Sequence, residues 1–149
     1  MPNLPVARAV FREAMRLYPP VPMFVRQSSC PHEFRGRAVK TGAQVILSAW
    51  HLHRHERLWE RPDEFDPARF ETENGKDCQR RAYIPFSSGP RVCPGAGFAM
   101  AEGPLFLSLL VQRYRFDTVQ GQEPIPVAHL TVRSGNGIHL NLSAKLLPR

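Results

Sequence analysis

The sequence predicts a mainly α fold with small β-sheets (α+β), and three observations lead there. Residues 5–17 place Val6, Val10, Ala14 and Leu17 at helical spacing. The longest apolar segment, Ala96–Tyr114, exceeds the length of a strand and reads as a helix. Elsewhere, short apolar runs are cut by glycine and proline, as short strands and turns require. Proline supplies 15 of the 149 residues, so the chain turns often.

Each element follows from its residues. Pro19 and Pro20 stop the first helix. Val21–Gln27 has strand propensity, Glu33–Gln44 carries turns at Gly36 and Gly42, and Gln44–Leu47 is a short apolar strand. Ser48–Arg54 reads as a short helix. Residues 56–77 hold eight of the 13 acidic groups and two prolines, and read as a long ordered loop. Residues 86–95, FSSGPRVCPG, form a loop that opens into the long helix, with Pro94 suited to its first position. Pro104 inside that helix removes one hydrogen bond and predicts a kink. Residues 115–145 alternate well enough for two or three short strands.

Length and composition bound the function. A chain of 149 residues suggests one domain, 1–149, with ordinary apolar (42%) and charged (22%) content. That excludes a disordered acidic tail, a collagen-like repeat and a coiled coil. No run of about 18 apolar residues predicts a membrane span or anchor in this segment, and the first residues show no signal-peptide pattern. Net charge is +7, and arginine supplies 17 of the 20 basic residues. Such an excess suits nucleic acid, an anionic cofactor, an acidic partner or simply a soluble basic surface. No nucleic-acid partner is expected, because charge is the sole support for one. No zinc-finger spacing, RNA-binding aromatic signature or helix-turn-helix pattern accompanies it. Three cysteines, Cys30, Cys78 and Cys93, argue for a reducing compartment and a cytoplasmic location.

Cys93 is the chemically loaded residue. It stands just before a helix, where free N–H groups and a partial positive charge stabilise a thiolate, and Arg91 adds a cation. Gly89 and Gly95 let backbone approach a flat or bulky ligand. A nucleophile, a redox sensor, a metal ligand and a small buried thiol are all open readings at this point. A zinc site from His51, His53 and His55 with Cys30 or Cys78 is a separate alternative. The i, i+2 spacing suits one face of a strand but not of a helix, and no C-x-x-C accompanies it. A polar loop face explains the same histidines.

The segment Phe86-Ser87-Ser88-Gly89-Pro90-Arg91-Val92-Cys93-Pro94-Gly95 resembles the haem-binding loop of cytochromes P450, F-x-x-G-x-R-x-C-x-G, at all five fixed positions. Phe98-Ala99-Met100-Ala101-Glu102 resembles the start of that family's next helix. Glu13-Ala14-Met15-Arg16 fits its E-x-x-R pair, with both charges on one helix face. Pro62-Asp63-Glu64-Phe65-Asp66-Pro67-Ala68-Arg69-Phe70 resembles its P-E-x-F-x-P-E-R-F segment. The motifs occur in family order over nearly the whole chain, which corresponds to the last third of the family's catalytic domain.

The resemblance implies roles residue by residue. Cys93 is the expected axial ligand of the iron in haem b (iron protoporphyrin IX), the thiolate pushing electron density to favour O–O cleavage. Phe86 packs near the sulfur and porphyrin, Gly89 and Gly95 give turns and close approach, and Arg91 pairs with a propionate. Arg26 is either a second propionate-binding arginine or an ordinary strand-end charge. Glu13, Arg16 and Arg69 form a structural triad that fixes geometry more than it adds stability. Val21, Met23 and Leu130 fall where the family contacts substrate. His53 is a possible polar contact nearby. The implied reaction is dioxygen-dependent hydroxylation of an apolar substrate by a haem-thiolate monooxygenase. Electrons come from NAD(P)H through a redox partner (a ferredoxin, flavodoxin or reductase). Arg80 and Arg81 either steer that partner or are merely solvated.

No segment here resembles the family's distal helix with its acid–alcohol pair, so a truncated reading frame or a catalytically inactive remnant that at most binds haem is the alternative expectation. Missing distal helices leave apolar surface uncovered, which predicts a poorly soluble or partly molten isolated chain.

Overall fold

The computed structural model describes residues 3–145 and carries both helices and small sheets, as the sequence predicts. Helix α1 spans Pro5–Leu17, with proline in its first turn where a missing N–H costs nothing. Tyr18 closes it, its N–H donating to the Ala14 carbonyl at 2.7 Å, and the two prolines prevent a further turn. The buried residues of α1 are Glu13, Met15, Arg16 and Leu17, so its inward face carries two charges as well as apolar bulk.

Strand β1 (Met23–Gln27) pairs antiparallel with β4 (Gln44–Ser48), in register from Met23 opposite Ser48 to Gln27 opposite Gln44. Between them lies the small hairpin β2 (His32–Phe34) and β3 (Arg37–Val39). Its two-residue turn has positive φ at Arg35 (51°) and Gly36 (75°), the mirror-image turn that matches strand twist. Helix α2 (Ala49–Leu52) follows, capped by Ser48, whose hydroxyl accepts from the His51 N–H at 3.3 Å.

The acidic stretch 56–77 departs from the expected loop. It contains a 3-10 turn, Pro67–Glu71, and runs into helix α3, Glu73–Arg81. Asn74 and Gly75 hide this helix from propensity. Thr72 starts it, its hydroxyl accepting from the Gly75 N–H at 3.0 Å, and Glu73 lies in the first turn with Arg80 and Arg81 in the last. Gly75 is there for contact: a Cβ would overlap the Arg69 carbonyl.

Helix α4 spans Ala96–Arg113. Gly95 caps it, so Pro94 lies outside the helix rather than at its first position. The helix continues past Pro104, which is fully buried. Tyr114 begins a strand instead of ending the helix. The tail holds four strands rather than two or three: β5 (Tyr114–Thr118) pairs with β8 (Leu140–Ala144), and β6 (Pro126–Ala128) with β7 (Val132–Ser134). A tight turn divides β6 from β7, with the His129 N–H donating to the Thr131 carbonyl at 3.2 Å.

The core is off-centre. Trp59, Phe70, Cys78 and Ala82 are buried together, with Leu52, Leu58 and Tyr83 against them. By contrast α4 exposes Phe98, Leu105, Phe106, Leu109, Leu110 and Val111. The buried lock therefore lies between α1 and the acidic segment, while α4 presents an open apolar face.

Candidate functional site: a cysteine pocket and its ionic lock

The lock begins with Glu13 and Arg16, one helical turn apart and both at 0% exposure. Two buried charges in a small protein are costly unless every donor and acceptor is used. Here they are. Arg16 gives Glu13 a forked pair, Nε to Oε2 at 2.8 Å and Nη2 to Oε1 at 2.9 Å. Its other N–H groups reach the carbonyls of His53 (2.8 Å), Pro62 (2.6 Å) and Glu64 (3.0 Å). Glu13 Oε1 also accepts from Arg69 Nε and from the Asp66 N–H, each at 3.0 Å. Arg69 then spans the carbonyls of Glu60, Arg61 and Glu64. Arg61 takes φ 45°, a left-handed conformation in the segment whose carbonyl serves Arg69.

Burial alone would raise the Glu13 carboxyl pKa, yet the hydrogen bonds from Arg16, Asp66 and Arg69 outweigh it and hold it below the usual value. The lock is an ionised carboxylate between two guanidinium groups, tying α1 to a loop more than 50 residues away in sequence.

His53 belongs to this lock, which the sequence did not reveal. It is fully buried and stacked on Tyr83 with ring centroids 5.3 Å apart. Its Nε2 accepts from the Ile84 N–H at 2.8 Å, so its Nδ1 carries the proton and donates to the Arg16 carbonyl at 3.2 Å. Burial, with Arg16 and Arg54 nearby, pushes its pKa down to about 4. The Tyr83 hydroxyl donates to the Arg12 carbonyl at 3.1 Å. These contacts overturn the zinc alternative. Both His53 nitrogens are committed, and no group of three metal-binding side chains exists among the described residues. Nor is His53 a polar contact at the cysteine pocket. A buried imidazole held between a backbone donor on one side and a backbone carbonyl on the other has no local sequence signature.

Beyond Ile84 the chain enters the cysteine loop. Its conformation is set by backbone: the Cys93 N–H donates to the Phe86 carbonyl at 2.9 Å, and a 3-10 turn spans Gly89–Arg91. Gly89 takes φ 70°, which glycine alone adopts without strain. Cys93 lies three residues before α4 and is exposed. A Cβ on Gly95 would stand 3.7 Å from the Cys93 sulfur.

A cavity of about 310 Å³ lies between this loop and β1, lined by Val21, Phe24, Arg26, Phe86, Arg91 and Cys93 among others. It unites residues up to 72 positions apart that the sequence reading had named separately. Arg26 reaches across it, its Nη2 donating to the Ser87 hydroxyl at 2.7 Å. Neither Arg26 nor Arg91 takes part in an ion pair among the described residues. Met23 and Leu130 lie elsewhere. Met23 lines the adjacent groove with Pro22, Trp50 and Val132, and Leu130 stands 86% exposed at the β6–β7 turn. Arg80 and Arg81 are exposed on α3, where Asp77 pairs with both.

The donor set fits a flat, dianionic iron porphyrin on one side: a soft sulfur for iron, two guanidinium groups for two carboxylates, and aromatic side chains for the ring.

A cysteine loop opening into a helix thus stands beside a buried Glu–Arg–Arg lock. The cytochrome P450 sequence model matches residues 1–141, and the chain belongs to that family of haem monooxygenases. It is 42% identical over 132 residues to cytochrome P450 4B1 of Rattus norvegicus, covering 88% of this chain and 26% of that protein. It is 38% identical over 141 residues to taurochenodeoxycholic 6 alpha-hydroxylase of Sus scrofa, covering 94% of this chain and 28% of that one. Among solved structures, the retinoic acid bound cyanobacterial CYP120A1 aligns with a TM-score of 0.88 at 28% identity, over 95% of this chain and 33% of that one. The P450DA heme domain aligns at 0.84 and 27% identity, over 94% and 31%. The chain thus spans between a quarter and a third of the length of these relatives.

Proposed function

We propose that this chain is the haem-holding part of a P450 monooxygenase acting on an apolar substrate, in which the Cys93 thiolate would hold the iron. The cavity that brings Cys93, Arg91, Arg26 and Phe86 together carries this reading. Bound there, haem b supplies dioxygen activation. The chain's own residues hold and orient it. Arg91 and Arg26 pair with propionates, Phe86 and Phe24 pack on the ring, and Val21 excludes water from the rim. The lock keeps α1, and therefore the strand that follows it, in place against the cysteine loop. Met23 and Leu130 act only through substrate beyond this cavity.

Electrons reach the site from NAD(P)H by way of an acidic carrier docked near Arg80 and Arg81. Asp77 offsets part of their charge, so the attraction is moderate. The three free cysteines support a reducing, cytoplasmic setting.

The test is a reduced carbon monoxide difference spectrum of the chain loaded with haemin, beside Cys93→Ser. A strongly red-shifted Soret band that is lost in the variant supports thiolate ligation. The same spectrum in both would sink it. A second reading, haem binding without turnover, draws on the exposure of Cys93. Turnover assays with an electron donor separate the two.

A further inference from the structure

Ser87 carries an oddity that ligand contacts do not explain. Its φ is 66°, left-handed, in a residue that is not glycine. Among the described residues only Arg35 and Arg61 share that feature. Arg35 sits in a two-residue hairpin turn, which demands it, and Arg61 presents its carbonyl to Arg69. Left-handed serine is strained, so the surrounding structure must hold it there. What it gains is position. Its hydroxyl accepts from Arg26 Nη2 at 2.7 Å, bridging 61 residues of sequence. Two further contacts fix the same guanidinium: Nη1 donates to the Val25 carbonyl at 3.1 Å, and the Phe24 ring centroid lies 5.4 Å from its central carbon. Arg26 is therefore held from three sides before any anion arrives.

We infer that Ser87 is a positioning residue: its hydroxyl staples Arg26 of β1 to the cysteine loop, fixing the gap between them and presenting the second anion-pairing guanidinium. For the ligand this inference rests on the haem reading above, but the staple itself does not. Preorganisation of this kind raises affinity by removing the ordering cost of a long side chain.

The experiment uses Ser87→Gly, Arg26→Ala, the double variant and Ser87→Asn. Glycine relieves the strain and deletes the hydroxyl. Asparagine tolerates the left-handed region and keeps an acceptor. The first readout needs no ligand: amide hydrogen exchange at Cys93. The staple predicts faster exchange in Ser87→Gly and in Arg26→Ala, with no further change in the double variant. The second readout is affinity for metal-free protoporphyrin IX, which carries the carboxylates but cannot bond to sulfur. Ser87→Gly should weaken it about fivefold, the usual weight of one such bond, with the loss absent in the Arg26→Ala background and largely restored by Ser87→Asn. Additive effects on exchange, slower exchange in Ser87→Gly, or porphyrin binding indifferent to Ser87 would each overturn the inference. If the exchange coupling holds and wild type takes up neither protoporphyrin IX nor haemin, the staple is upheld and the haem reading of the cavity fails.

Discussion

Acidification should loosen the lock through His53, and the size of the effect follows from its surroundings. The ring is fully buried, faces Arg16 and Arg54, stacks on Tyr83, and accepts the Ile84 N–H at Nε2. Protonation would set two N–H donors nose to nose at Ile84 and place a third cation beside two guanidinium groups. Its folded pKa is therefore about 4 against the usual 6.5. An unfolded chain takes up the proton first, so stability is full above about pH 6.5 and falls as pH drops toward 4. At 1.36 kcal/mol per pH unit, the loss between pH 7 and pH 5 is about 2 kcal/mol. With a typical urea slope that shifts the midpoint by about 1 M. Urea unfolding followed by tryptophan fluorescence measures it, since Trp59 sits in the adjoining core at 1% exposure. The other five histidines are exposed, so His53→Gln should flatten the pH dependence in this window. Glu13, whose folded pKa is also lowered, acts in the same direction at lower pH: its stabilisation is lost below about 4.5. A midpoint that does not move between pH 7 and 5, or moves equally in His53→Gln, would refute the reasoning.

Four other outcomes are expected. Glu13→Gln leaves two buried guanidinium groups without their carboxylate and should cost about 3–5 kcal/mol, read in the same unfolding assay. Gly75→Ala drives a Cβ into the Arg69 carbonyl and should unseat α3 and the lock together, seen as lost helical signal and faster exchange at Asp66. Gly103→Ala meets the Phe11 ring between α4 and α1, so overpacking should destabilise the chain by about 1–3 kcal/mol, measured by thermal unfolding. The exposed apolar face of α4 should make the isolated chain self-associate, giving a sedimentation coefficient that rises with protein concentration and falls back in mild detergent.

The sequence by itself determined what depends on local chemistry. Pro19 and Pro20 stop the first helix, Gly36 marks the tight hairpin turn, and the apolar run from Ala96 forms a long helix. The F-x-x-G-x-R-x-C-x-G pattern marked the loop that carries Cys93, and its Gly89 takes the left-handed conformation that glycine adopts without strain. The tertiary structure alone decided the rest. Helix α3 stayed hidden because Gly75 answers to the Arg69 carbonyl and not to helix propensity. His53 looked like part of a histidine cluster until burial committed both its nitrogens to distant backbone. That Arg26 lines the cavity beside Cys93 and donates to the Ser87 hydroxyl could not be read from the strand it sits in. Met23 parts from the cavity because β1 alternates faces and turns Phe24 and Arg26 toward it instead, while Leu130 stands exposed at the β6–β7 turn. The pairings of His53 with Ile84 and of Arg26 with Ser87 join residues far apart in sequence, and such pairings are energies of the folded chain that no local window contains.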